Sequence, residues 1–230
     1  MITRVPRSSV ASSILTLDLM ENGLSHIDGA QQVIDYLLMK PRIKKLNLSR
    51  NEIGDYGSIA LFEFLCSPRG RKVELTELNL NQNAIGMAGL RAISAYIRGN
   101  PTLQELNIQN NDLTGRVDVI SDFTSSLNKS HVSRLVLSGN TSLGDTFAEE
   151  FFTQLTSPHL RSVDISLIGL TPASGPFIIS YLTSDRALRL REIGCNGNAL
   201  GLEAVRESRV AYEMAISPFK SSNSMLPLEL

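Results

Sequence analysis

The stretch Leu75-Thr-Glu-Leu-Asn-Leu-Asn-Gln-Asn-Ala-Ile-Gly86 constrains the fold more than any other part of the chain. Leu78 and Leu80 alternate with polar neighbours, as a strand with one buried face requires, and Asn83 and Ile85 follow at a fixed distance. The same pattern returns along most of the 230 residues. Its copies hold Leu17, Leu19, Asn22 and Leu24; Leu46, Leu48, Asn51 and Ile53; Leu106, Ile108, Asn111 and Leu113; and Leu135, Leu137 and Asn140, with Leu143 one residue late. Two more hold Val163, Ile165 and Leu170, with Ile168 at the asparagine position, and Ile193, Cys195, Asn198 and Leu200. Equivalent positions in the seven copies stand 29, 32, 28, 29, 28 and 30 residues apart. Seven copies at such regular spacing make one structural unit repeated in space.

Between copies the apolar period lengthens to that of a helix. Ile59, Ala60, Phe62 and Leu65 follow Asp55; Met87, Leu90, Ile93 and Ile97 follow Gly86; Phe147, Ala148, Phe151, Phe152 and Leu155 follow Asp145. These segments predict amphipathic helices of about three turns. Strand–turn–helix units of this length stack with parallel strands on one side and helices on the other. At about 4.8 Å per strand, seven strands span roughly 29 Å. Helices are bulkier than strands, so the stack curves with the sheet inside. The expected fold is an α/β solenoid of about seven repeats. The expected division is a disordered leader over 1–13, the repeat domain with a C-terminal capping helix over 14–217, and a flexible tail over 218–230. The first repeat has no evident polar cap, so its edge at Ile14, Leu17 and Leu19 is expected to be exposed. That implies a fragment of a longer protein, a dimer or a capping partner.

The pattern L-x-x-L-x-L-x-x-N-x-[LI]-G, with glycines at Gly54 and Gly86, resembles the ribonuclease-inhibitor-like class of leucine-rich repeats. The resemblance covers roughly residues 14–216. It implies a curved solenoid that binds another protein, since the class includes ribonuclease inhibitor, the Ran GTPase-activating protein, tropomodulin-like actin regulators and F-box substrate receptors. The fold alone does not choose among these. The principal reading is a non-catalytic interaction scaffold that uses the concave face. The alternatives are a GTPase activator resembling the Ran activator, or the substrate-receptor fragment of a ubiquitin ligase. The tail after Ser217 has a single acid, Glu229, where such activators carry an acidic tail.

Composition narrows the partners. With 22 basic and 23 acidic residues the net charge is −1, which favours neither nucleic acid nor a membrane surface. No apolar run reaches the roughly 18 residues of a membrane span. The two cysteines, Cys66 and Cys195, read as small buried hydrophobes in a reducing, cytoplasmic setting. His26, His131 and His159 read as falling at unrelated repeat positions, and no metal set or cofactor motif is present.

Two sets of residues stand out. Asn22, Asn51, Asn83, Asn111, Asn140 and Asn198 are expected to form a structural ladder whose buried amides satisfy backbone groups at each turn. Removal of one, as in Asn83→Ala, is expected to cost about 1–3 kcal/mol, and Ile168 predicts an altered turn in repeat six. The outward strand positions are the candidate partner-binding face: Lys45, Asn47, Glu77, Asn79, Asn81, Glu105, Asn107, Gln109 and Arg134. That surface is polar, mixed in sign and without an aromatic residue, and its amides are suited to holding a peptide backbone.

Overall fold

The computed structural model describes residues 15–201 together with Arg206 and Val210. The expected leader, the tail and most of the expected capping helix lie outside those residues, as does Ile14.

Among the described residues, seven three-residue strands alternate with six helices. The order is β1 Thr16–Asp18, α1 His26–Met39, β2 Lys45–Asn47, α2 Gly54–Cys66, β3 Glu77–Asn79, α3 Met87–Gly99 and β4 Glu105–Asn107. Then follow α4 Val117–Asn128, β5 Arg134–Val136, α5 Gly144–Gln154, β6 Ser162–Asp164, α6 Gly175–Leu182 and β7 Glu192–Gly194. The strands form one parallel sheet in sequence order. Its register joins Leu17, Leu46, Leu78, Leu106, Leu135, Val163 and Ile193 in a single row, the row that the repeated pattern defines. Unequal steps are absorbed around the helices. The 32-residue step carries a 3-10 turn at Gly70–Lys72 after its helix, and the 30-residue step carries two, at Pro172–Ser174 before its helix and at Asp185–Ala187 after it.

The core lies between the sheet and the helices. Both leucines of each L-x-L pair enter it from β2 to β5, with Leu46, Leu48, Leu78, Leu80, Leu106, Ile108, Leu135 and Leu137 at most 2% exposed. Aromatic residues fill the helix side. Phe147 stacks on Phe151 at 4.8 Å, Phe151 meets Phe152 edge-on at 5.2 Å, and Phe152 lies 5.4 Å from Tyr181. Strands about 4.8 Å apart backed by helices about 10 Å across force the sheet to the inside of a curve.

Successive helices approach closely only where side chains permit. A Cβ on Gly57 would lie 2.4 Å from the carbonyl oxygen of His26, so glycine is what lets α2 seat against the start of α1. Helix starts are also tied across repeats. The Asp55 carboxylate, in the first turn of α2, accepts from the backbone N–H groups of Gly86 and Gly89, both at 2.7 Å, at the start of α3. Asp145, in the first turn of α5, plays the same part for the next repeat, accepting from Thr171 N–H at 2.8 Å and from the hydroxyls of Thr171 and Ser174.

Leu17 and Leu19 at the first strand are half-buried against the core rather than exposed, because β2 and α1 cover one side of each. The exposed large apolar side chains of that end are instead Leu15, Met20, Ile27, Tyr36, Leu38 and Met39. Among the described residues no helix is long and apolar enough to cross a membrane.

Candidate functional site

Every turn after a strand has one backbone design. The residue just before the ladder position adopts a left-handed conformation in all seven repeats: Glu21, Arg50, Gln82, Asn110, Gly139, Leu167 and Gly197. In the first six its N–H donates to a carbonyl of the next repeat, as Gln82 to Gln109 at 3.0 Å. The ladder asparagine then stitches its own repeat to the one before. Asn111 shows the full set: its Oδ1 accepts from the N–H groups of Asn83 and Ile85, both at 3.0 Å. Its Nδ2 donates to the carbonyls of Leu80, Ile108 and Gln109, each at 3.0 Å. Asn51, Asn140 and Asn198 make equivalent bonds. In Asn83 the stitch is looser, with a single accepted bond from Ile53 at 3.4 Å. Asn22, in the first repeat, is exposed, and its Nδ2 donates to the carbonyl of Met20.

The turn of repeat six does not change shape. Leu167 keeps its φ of +55° and its N–H still donates to Asn196 at 2.8 Å. Repeats one and three also have a second left-handed residue just past the ladder position, Gly23 and Ala84, and Gly169 supplies it here. Ile168 is fully buried, so the position exchanges a polar stitch for an apolar contact while the backbone bonds hold the conformation.

The concave face divides into three columns. In the first, Lys45 pairs with Glu77 at 2.6 Å. The Glu77 carboxylate, by hydrogen bond and then by charge, holds the Lys45 ammonium above its ordinary value. Arg134 reaches past Ser162 to within 3.7 Å of Glu192, whose other contact is the Ser162 hydroxyl at 2.6 Å. Glu105 is exposed and, among the described residues, makes no ion pair with Arg134, its register neighbour.

The second column carries structure rather than recognition alone. The side-chain oxygens of Asp18, Asn47, Asn79, Asn107 and Asp164 each accept from the N–H two residues on, at 2.9–3.1 Å. These are Asx turns that close the strand end. Sequence reasoning took Asn47, Asn79 and Asn107 as partner-facing amides. An acid or amide two residues ahead of a chain reversal in repeat after repeat was the signal for this role. In the third column, Asn81 accepts from Asn110 at 3.2 Å and Gln109 is half-buried. Among the described residues, those left with unspent side-chain groups are Glu105 and Gln109, flanked by the Lys45–Glu77 pair on one side and by Arg134, which reaches Glu192, on the other.

Neither thiol is disposed for chemistry. Burial pushes the Cys195 thiol up to about 12, helped by the charge of Asp164, and burial also raises Cys66 despite nearby Arg71. Both cysteines are free.

The leucine-rich repeat family model matches residues 42–62, 75–94 and 99–116, the second, third and fourth units of the stack. The chain is a leucine-rich repeat protein of the ribonuclease-inhibitor-like class. This leucine-rich repeat chain is 25% identical over 157 residues to the ribonuclease inhibitor of Sus scrofa, a match that takes in 68% of the chain and 28% of that relative. It thus spans less than a third of the curated relative. Among solved structures, the C-terminal domain of Caenorhabditis elegans tropomodulin superposes with a TM-score of 0.51 at 14% identity, over 84% of this chain and 96% of that one. The actin-binding site 2 of leiomodin-1 gives 0.44 at 17% identity, over 53% of this chain and 68% of that one. The tropomodulin likeness concerns the fold.

Proposed function

We propose that this leucine-rich repeat chain is a non-catalytic protein-binding scaffold that takes a partner protein on its concave face, centred on repeats two to five. One observation carries the reading. The seven strands are in register with their backbone groups bonded to one another inside the stack, so side chains remain to meet a partner there, and Glu105 stands exposed and, among the described residues, without an ion pair, beside an Arg134 that reaches away to Glu192. Oppositely charged groups left apart on a preformed surface favour specificity and rapid association. A relative named for inhibiting a ribonuclease supports the same class of activity. The unpaired thiols fit an intracellular, reducing compartment. The exposed Leu15, Met20 and Ile27 leave a place for a second copy or a covering partner at the first repeat.

The test is affinity capture from cell lysate with the parent and the double variant Glu105→Arg/Arg134→Glu, together with direct binding of a purified ribonuclease. Both side chains are exposed, so the variant is expected to melt like the parent. A partner held by the parent and lost by the variant supports the concave face. Recovery of the same proteins by both baits overturns it. Loss of a small GTPase would move the reading to a GTPase activator, checked by nucleotide hydrolysis.

A further inference from the structure

The net charge of −1 conceals a separation of charge along the solenoid edge where the helices return to the strands. His131, His159 and Arg189 each stand three residues before paired strand positions, Arg134, Ser162 and Glu192, so the stack aligns them in one column. The histidines are therefore not at unrelated repeat positions. They lie 28 residues apart, the same as the step from β5 to β6, and their rings stack at 4.6 Å. Arg161 and Arg191 occupy the column nearer the strands, where Arg191 N–H donates to the carbonyl of Arg161 at 2.7 Å.

Over repeats five to seven these two columns hold three arginines, two histidines and no acid. On repeats two and three the same columns hold Arg42, Lys44 and one acid, Glu74, which stands in the column of His131 and bonds Lys44 at 2.8 Å, so a single base is left over. At the other end the nearby Glu192 is engaged on the concave face by Ser162 and Arg134, and Asp185 begins the 3-10 turn behind Arg189. The crowding is felt within the cluster. Burial and then His131, Arg161 and Arg189 hold the His159 imidazole below its ordinary range, and burial followed by Arg189 and Arg191 lowers Arg161. Like charges gathered on rigid positions oppose folding, and an anionic partner offsets that cost. The gathering is also presented rather than hidden. His131, His159 and Arg189 are exposed, and the Arg161 guanidinium is positioned by the carbonyls of Pro158 at 3.2 Å and Leu160 at 3.3 Å.

We propose that this edge of repeats five to seven is a docking site for an acidic segment of a partner protein, a run of three or four Asp or Glu residues in extended conformation. Three strands cover about 10 Å, which an extended chain crosses in about three residues. Arginine forks suit carboxylates. A long polyanion such as a nucleic acid fits less well, because Glu77, Glu105 and Glu192 line the adjoining concave face and the two columns offer no Phe, Tyr or Trp for base stacking. The proposal concerns a surface separate from the concave columns and stands without them.

The probe is a fluorescently labelled hexaglutamate peptide, titrated with the parent, Arg189→Glu and the control Lys72→Glu at low ionic strength and read by anisotropy. Reversal of one exposed charge removes an attraction and adds a repulsion. Arg189→Glu is expected to weaken binding about tenfold, with Lys72→Glu within about twofold. In the parent, ring NMR signals of His131 and His159 are expected to shift with added peptide while that of His26 stays in place, a measurement that needs no variant. Absence of saturable binding, equal losses in the two variants, unmoved His131 and His159 signals, or tighter binding of an oligothymidylate of equal charge would each overturn the proposal.

Discussion

Asn111→Ala removes the most complete stitch in the ladder, and the structure fixes what it should cost. The side chain is 8% exposed, and its Oδ1 is the acceptor for two N–H groups, those of Asn83 and Ile85, whose residues are fully buried. Alanine supplies no acceptor and leaves both donors without a partner. A buried unpaired donor costs about 1–3 kcal/mol, so the pair amounts to about 3–4 kcal/mol after modest relaxation. Asn83→Ala should cost less, about 1–2 kcal/mol, because its Oδ1 accepts one bond whose length of 3.4 Å lies beyond the usual N–H···O range. For a domain of this size 1 kcal/mol moves the midpoint by about 2–4 °C, so the expected losses are about 10 °C for Asn111→Ala and about 4 °C for Asn83→Ala. Calorimetry measures the ranking. Amide hydrogen exchange localises it, with the Asn83 and Ile85 amides of Asn111→Ala exchanging faster than those of distant repeats. Equal midpoints for the two variants, or a larger loss for Asn83→Ala, would refute the assignment of stability to accepted bonds at the turn.

Two further perturbations probe the helix side. Gly57→Ala brings a Cβ against the backbone of His26, and the forced separation of α1 and α2 should lower stability by about 1–3 kcal/mol, read by urea denaturation; a parental midpoint would show that the helices are free to part. Burial raises the Asp145 carboxyl, but hydrogen bonds from Ser174 and Thr171 bring it below its ordinary value of 3.8, so its folded pKa lies under its unfolded one. The stability it contributes is therefore present above about pH 4 and is lost as the pH falls through the lower folded value. An Asp145→Asn variant should show a shallower loss over that acid range, and identical acid titrations would rule out the tie.

The repeating pattern was enough to define the sheet. Strand pairing between neighbours is local in such a stack, and both leucines of each pair must enter the one available core, so the sequence row Leu46, Leu78, Leu106 and Leu135 is also the structural row. The stitches made by Asn51, Asn83, Asn111, Asn140 and Asn198 follow from the same reasoning, since a polar side chain at an otherwise apolar position has to find bonds, whereas Asn22 is exposed and, among the described residues, its side chain bonds only Met20. The altered turn expected at Ile168 was not found, because the bond from Leu167 N–H to the Asn196 carbonyl is backbone and indifferent to the side chain that follows.

The candidate surface was less legible. Alternation states that Asn47, Asn79 and Asn107 point away from the core, but not that their oxygens are spent on their own backbone two residues later. Net charge states that acids and bases balance, but not that bases gather at one edge. The 28 residues from His131 to His159 equal the step from Leu135 to Val163, so their alignment was legible in the repeat, but the stacking of their rings at 4.6 Å was not. Sequence alone thus determined the repeat, the register and the core of this leucine-rich repeat chain, because burial of a periodic apolar face has one solution. Tertiary structure decided which polar groups are free and which charges are neighbours, because those depend on distances across repeats that the chain order does not contain.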